Sequence, residues 1–140
     1  MKLRDVYVMS RMAAAANLLF RLLGERQPEE SISHRAMPTW EDHQRFVNSR
    51  PYLAWYIIHA DGADAGACYL TNAGEIGIGI LREFRGNGYA KAAITELMRL
   101  HPRQEYLANI NPRNLVSLKL FESIGFKGPI QVTLRKESHA

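Results

Sequence analysis

Arg85-Gly86-Asn87-Gly88-Tyr89-Ala90 sets a cation, two glycines and an amide side chain within six positions, a composition suited to holding an anion. The run before it, Glu75-Ile76-Gly77-Ile78-Gly79-Ile80-Leu81, reads as a strand, and the run after it, Tyr89 to Leu100, has helical periodicity. A strand, a glycine turn and a helix N-terminus let successive backbone N–H groups converge on phosphate, and the helix dipole adds to the attraction. No Gly-Lys-Ser/Thr closes the turn, so it is not a P-loop, and the G-x-G-x-x-G spacing of dinucleotide folds is absent. Alone, the hexapeptide fits a phosphate cradle and a plain solvent-exposed turn equally well.

Elements must hold these residues in place. Lys2 to Met9 alternates as a first strand would, and a helix follows from about Arg11 to Leu23, with Met12, Ala15, Ala16, Leu19, Leu22 and Leu23 on one face and Gly24 as its stop. Glu25 to Pro38 is polar and proline-bearing, hence a long loop. Thr39 is an N-cap for a helix over Trp40 to Asn48, with Asp42 completing an approximate capping box. Tyr52 to His59 is aromatic and β-branched, Asp61-Gly62 is a turn, and Ala65 to Thr71 is the hairpin partner. Asn72-Ala73-Gly74 turns the chain into the strand that precedes the glycine turn. The next helix puts Ala90, Ala93, Ile94, Leu97 and Leu100 on one face and ends at His101-Pro102. Tyr106 to Ile110 is a short strand, Asn114 caps a helix over Leu115 to Ile124, and Gly125-Phe126 fits a left-handed glycine cap with a hydrophobic contact. Lys127 to Lys136 supplies one or two closing strands.

The 140 residues, 46% hydrophobic and 23% charged, make one domain over 1–140 able to bury a substantial core. Cys68 is the only cysteine, so no intrachain disulfide forms, which fits a reducing compartment. Its neighbours Ala67, Tyr69 and Leu70 mark it as a packed strand thiol rather than a nucleophile. The apolar stretch from Met12 to Phe20 is too short and too polar to span a bilayer and lacks a signal-cleavage site, so a cytoplasmic protein with no membrane partner is expected. The net charge of +4 suits anionic ligands, but the cations are dispersed without interleaved aromatics, which argues against nucleic acid. No His/Cys/Asp spacing resembles a metal site.

Two distant motifs agree on a family. Arg85-x-x-Gly88-x-Ala90 resembles the pyrophosphate-binding signature of the GCN5-related N-acetyltransferases (GNAT), and Asn111-Pro-Arg-Asn-Leu-Val-Ser-Leu-Lys-Leu-Phe-Glu-Ser-Ile-Gly-Phe126 resembles their second signature at the expected distance. The element order is similar to that fold end to end. The resemblance implies an α/β domain of layered α+β type, with a mixed, mostly antiparallel sheet of six to seven strands flanked by about four helices. It also implies acetyl-CoA as cofactor and a primary amine as acceptor, as monomer or homodimer. The acceptor is expected to be a small molecule such as an amino sugar or sugar nucleotide; a protein- or nucleic-acid-linked amine and a non-catalytic acyl-CoA sensor stay open.

Residue by residue, the resemblance gives the backbone amides of Ile78, Gly79 and Ile80 the pantetheine arm and thioester oxygen. Glycine at Gly77 and Gly79 fits a ligand close to the backbone or a bulky neighbour across the sheet. Arg85, Gly86, Asn87, Gly88, Tyr89 and Ala90 would hold the diphosphate; Lys91 either reaches it or is solvated. Asn114 and Ser117 would meet the pantetheine, or act as helix cap and first-turn hydroxyl. Glu75 is the candidate base, or a strand-end carboxylate in solvent. The tyrosine that commonly serves the family as general acid is replaced by Phe121, which the resemblance places at the cofactor; Tyr89 and Tyr106 are the alternative hydroxyls. His34, Arg35, Trp40, His43 and Trp55 are candidates to line an acceptor pocket, each with a structural alternative in core or surface.

Overall fold

The computed structural model describes residues 1–8, 10, 12–27 and 36–138. In chain order it contains β1 (Lys2–Asp5), α1 (Met12–Glu25), α2 (Trp40–Asn48), β2 (Ala54–Ala60), β3 (Ala63–Leu70), β4 (Ile76–Ile80), a 3-10 turn at Arg82–Phe84, α3 (Tyr89–Leu100) and α4 (Leu115–Ser123). The strands form one antiparallel sheet in the order β1-β2-β3-β4. The β2–β3 hairpin closes through Asp61 and Gly62, both at positive φ (51° and 76°), as tight two-residue turns require.

Alternation along the strands gives the sheet two apolar faces. Ile58, Cys68, Leu70 and Ile76 pack against Ala93, Ile94 and Leu97 of α3 and Phe121 of α4. On the opposite face Trp55, Ile57 and Ala67 meet Ala15, Ala16 and Leu19 of α1 and Val47 of α2. Helices therefore cover both faces, and the chain between β4 and α3 crosses from one to the other.

Helix ends follow local chemistry. Thr39 Oγ1 accepts the Asp42 N–H at 3.1 Å, capping α2, while the Asp42 carboxylate turns to Arg45 rather than back to the cap. Asn114 Oδ1 accepts the Ser117 N–H at 3.1 Å at the head of α4. At its other end Gly125 (φ 106°) donates to the Glu122 carbonyl and Phe126 to that of Phe121, the paired bonds of a left-handed glycine cap. Gly24 does not stop α1, which runs on to Glu25. That last turn is held by Glu25, which accepts the Arg82 N–H at 2.7 Å and pairs with Arg21 at 3.5 Å. β1 stops at Asp5, short of the predicted strand, because the Asp5 carboxylate accepts the Tyr7 N–H at 2.8 Å and turns the chain.

The sheet has four strands, not six to seven. Tyr106 to Ile110 pairs at one point only, a parallel bridge between Leu107 and Glu75: the Ile76 N–H donates to the Leu107 carbonyl at 2.8 Å and the Leu107 N–H to that of Gly74 at 2.9 Å. Lys127 to Lys136 forms no strand and is exposed along its length, with Ile130, Val132 and Leu134 at 78, 73 and 89% exposure. Its alternating pattern specifies two faces but supplies no partner for the backbone. Among the described residues no helix is long and apolar enough to cross a membrane, and no three His, Cys, Asp or Glu side chains are grouped as metal ligands.

Candidate active site

β4 offers an incomplete edge. On its inner side Thr71 N–H donates to the Glu75 carbonyl at 2.9 Å and Leu81 N–H to the Ala65 carbonyl at 2.8 Å. Alternation along an antiparallel pair turns Gly77 and Gly79 toward β3 as well, and turns Ile76, Ile78 and Ile80 outward. Leu107 takes the Ile76 N–H, but beyond that bridge no described strand pairs with Ile78 or Ile80. The Ile80 carbonyl accepts from Arg85 Nε at 3.1 Å, so the edge runs straight into the glycine turn. Of the three amides predicted to bind ligand, Ile78 and Ile80 face the open edge; Gly79, paired with Ala67, faces β3.

The turn itself is open and bare of side chains at its glycines. Gly86 and Gly88 have φ of 83° and 76°, and a Cβ at either would meet no atom within 4 Å, so both open outward. Gly88 is the N-cap of α3, and its carbonyl takes the Ala92 N–H. The N–H groups of Tyr89, Ala90 and Lys91 thus head the helix with no intrahelical acceptor. Asn87 Nδ2 donates to the Phe84 carbonyl at 2.9 Å, the Tyr89 hydroxyl donates to Asp61 on the β2–β3 hairpin, and the Lys91 side chain is exposed on the first turn.

Glu75, Gly77 and Gly79 share the sheet face covered by α1. The half-buried Glu75 accepts Asn109 Nδ2 on Oε2 at 3.0 Å, and its N–H donates to Thr71 Oγ1 at 3.0 Å. Tyr69 lies opposite Gly77, and its ring crosses onto β4: a Cβ at Gly77 would sit 2.0 Å from Cε2 and 2.5 Å from the hydroxyl oxygen. Gly77 is therefore glycine because of its neighbour's ring. A Cβ at Gly79 would meet only Leu22, at 3.6 Å, an ordinary contact. Tyr52 stacks on Tyr69 with centroids 3.9 Å apart and planes 8° from parallel, and Trp55 meets Tyr52 edge-on at 4.8 Å. Burial pushes both phenols up; Arg26 at the end of α1 acts against it on both, and the Glu75 charge adds to it on Tyr69.

Residues 5–127 match the acetyltransferase (GNAT) domain family. The chain belongs to the GNAT acetyltransferases. Among curated proteins none matches the sequence. Solved GNAT-type structures share its fold. A ribosomal-protein-alanine N-acetyltransferase from Brucella melitensis is 15% identical, with TM-score 0.67 over 91% of this chain and 85% of its own. An N-acetyltransferase from Staphylococcus aureus Mu50 is 16% identical, with TM-score 0.68 over 90% and 82%. An aminoglycoside N-acetyltransferase in complex with CoA is 19% identical, with TM-score 0.67 over 97% and 93%.

The remaining predicted residues of this GNAT domain divide between site and scaffold. Asn114 spends its carboxamide oxygen as the α4 cap, and Ser117 contributes the capped N–H. Phe121 is 3% exposed and packs edge-on against Phe126 at 5.0 Å, a core residue. Trp55 is 6% exposed among Tyr7, Phe46 and Tyr52, so it backs the site from the core rather than lining a pocket. Trp40 packs on Phe20 at 5.2 Å, and buried His43 donates Nε2–H to the Ala16 carbonyl at 2.9 Å; both tie α2 to α1. His34 and Arg35 lie outside the described residues. Tyr106 donates its hydroxyl to the His101 carbonyl at 2.5 Å, so like Tyr89 it is engaged elsewhere. Tyr52, Tyr69 and Asn109 are absent from the predicted site. Only Tyr69 had a readable signal: a hairpin through Asn72 to Gly74 sets it opposite Gly77. A surface depression lined by Ala73, Arg103, Gln104 and Glu105 holds none of the candidate residues.

Proposed function

We propose that this GNAT domain transfers an acetyl group from acetyl-CoA to the primary amine of a small molecule, with amino sugars or sugar nucleotides as the acceptor class. The observation that carries the reading is continuity: an unpaired strand edge at Ile78 and Ile80 leads directly into a side-chain-free turn at the N-terminus of α3. The edge offers amide donors to a chain of amides such as pantetheine, and the turn offers N–H groups and a helix dipole to a diphosphate. Gly86 and Gly88 leave that cradle open, so the residues present fit the cofactor. The CoA complex of a similar fold supports the same reading.

Bound there, acetyl-CoA supplies an acetyl group activated as a thioester. Ile78 and Ile80 hold and orient through their N–H groups, and residues 85–91 hold the charged end. Glu75, its carboxylate fixed by Asn109, removes a proton from the acceptor ammonium and frees the lone pair for attack. Phe121 has no proton to give; a thiol with a pKa of about 8.5 leaves readily as thiolate near neutral pH without one. The acceptor class draws support from the long polar segment Glu25 to Pro38 and from the aminoglycoside enzyme among the similar folds.

Thiol release from acetyl-CoA with a panel of amino sugars, sugar nucleotides, polyamines and peptides tests this. Turnover is expected with at least one small amine, and Glu75→Gln is expected to lower kcat roughly a hundredfold while calorimetric acetyl-CoA affinity stays. Wild-type turnover in Glu75→Gln at every pH would remove Glu75 as base. Tight acetyl-CoA binding with no turnover on any amine would make the domain a sensor, and no binding at all would overturn the reading.

A further inference from the structure

We propose that the Tyr69 hydroxyl donates a hydrogen bond to the carbonyl oxygen of the acetyl group bound at the open β4 edge, acting beside the Ile78 N–H as charge builds on that oxygen. The proposal deepens the acetyl-CoA reading above and rests on it. Three observations carry it.

The first is placement. The phenol of Tyr69 lies over Gly77, the residue immediately before the outward-facing Ile78 amide, so its hydroxyl stands above β4 rather than over its own strand. The second is rigidity. Tyr69 stacks on Tyr52, which Trp55 buttresses edge-on; Tyr52 is pinned in turn by the Tyr7 hydroxyl, which donates to its carbonyl at 3.1 Å and accepts its N–H at 3.0 Å. A donor held this way loses little freedom when it meets charge, which is what stabilisation of an oxyanion needs.

The third is an accounting of hydroxyl protons. Of the six tyrosines, Tyr7 donates to the Tyr52 carbonyl, Tyr56 hydrogen-bonds His101 Nε2 at 2.6 Å, Tyr89 donates to Asp61 and Tyr106 to the His101 carbonyl, while Tyr52 and Tyr69 lie stacked on each other. Of that stacked pair Tyr69 is the one over β4, and beyond Tyr52 no described residue takes its proton. Burial and the Glu75 charge also keep it a protonated phenol at working pH, so it serves as donor and not as acid or base. The oxygen it would meet is the one whose electrons shift as the amine adds to carbon; when the C=O bond re-forms the C–S bond breaks, and no proton passes through Tyr69.

CoA lacks the acetyl carbonyl, which makes the test independent of the acceptor. Calorimetric affinities of wild type and Tyr69→Phe are measured for acetyl-CoA and for CoA. Tyr69→Phe keeps the ring stack, and is expected to weaken acetyl-CoA about three- to tenfold while leaving CoA unchanged. The infrared band of 13C-labelled acetyl carbonyl should move to higher frequency in the variant as the bond is lost. Gly77→Ala, which drives the ring off β4, should reproduce both effects in a cooperatively melting protein. An unchanged ratio of the two affinities with an unmoved carbonyl band would overturn the role of Tyr69 and leave the cofactor reading standing. A wild-type protein that binds neither CoA nor acetyl-CoA would overturn both.

Discussion

Cys68 has its thiol 1% exposed in β3 and pushed by burial from 9.0 up to about 12. Below pH 9 the thiol is protonated whether the chain is folded or not. Between about 9 and 12 the unfolded chain loses that proton and the native one keeps it, so stability falls as pH rises, by up to about 1.4 kcal/mol per pH unit. Urea titrations from pH 8 to 10 should show this slope, and Cys68→Ala should flatten it even though the smaller side chain lowers stability at every pH. Native protein should also resist alkylation at pH 8 and react once unfolded. A slope identical in both proteins would place the ionisation elsewhere. The same burial explains why the sequence argument against a nucleophilic Cys68 holds: its apolar neighbours are what exclude water from it.

The turn that opens α3 is the element whose substitution separates fold from function. Gly88 caps the helix at φ 76°, where a β-branched residue costs about 1–2 kcal/mol, and its missing side chain leaves clear the space proposed for the diphosphate. Gly88→Val should lower the melting temperature by several degrees, keep one cooperative transition, and reduce calorimetric acetyl-CoA affinity at least tenfold. Equal affinity would remove the diphosphate from this turn. The boundaries of α2 and α3 were legible because Thr39, the helical periodicity and His101-Pro102 act within a turn or two of the chain. The succession of strand, glycine turn and helix from Ile76 to Leu100 was legible for the same local reason. Strand partners were not: Tyr106 to Ile110 and Lys127 to Lys136 both look like strands, yet pairing depends on what lies beside them in space, and of these residues only Leu107 pairs, at a single bridge. Gly77 shows the same limit at the site, since its reason is a ring eight residues earlier on another strand.

At the scale of the molecule, helices seal both faces of the sheet while Lys127 to Lys136 joins neither core. Ile130, Val132 and Leu134 alternate with polar residues along that exposed segment, with Arg135 and Lys136 directly after them and Arg135 paired to Glu137 at 3.4 Å. Short alternating apolar runs with unsatisfied backbone are the usual seeds of intermolecular β-association, and adjacent like charges act as gatekeepers against it. The protein should therefore be colloidally stable at low ionic strength and progressively less so as salt screens Lys136 and the net charge of +4, the Debye length shrinking from about 10 Å at 0.1 M to about 3 Å at 1 M. Light scattering of concentrated protein should rise with salt in the wild type and stay flat in Val132→Lys, with both melting alike because the segment adds nothing to the cores. Handling of this acetyltransferase is thus governed by a stretch far in sequence from its chemistry, one that a single added charge would quiet.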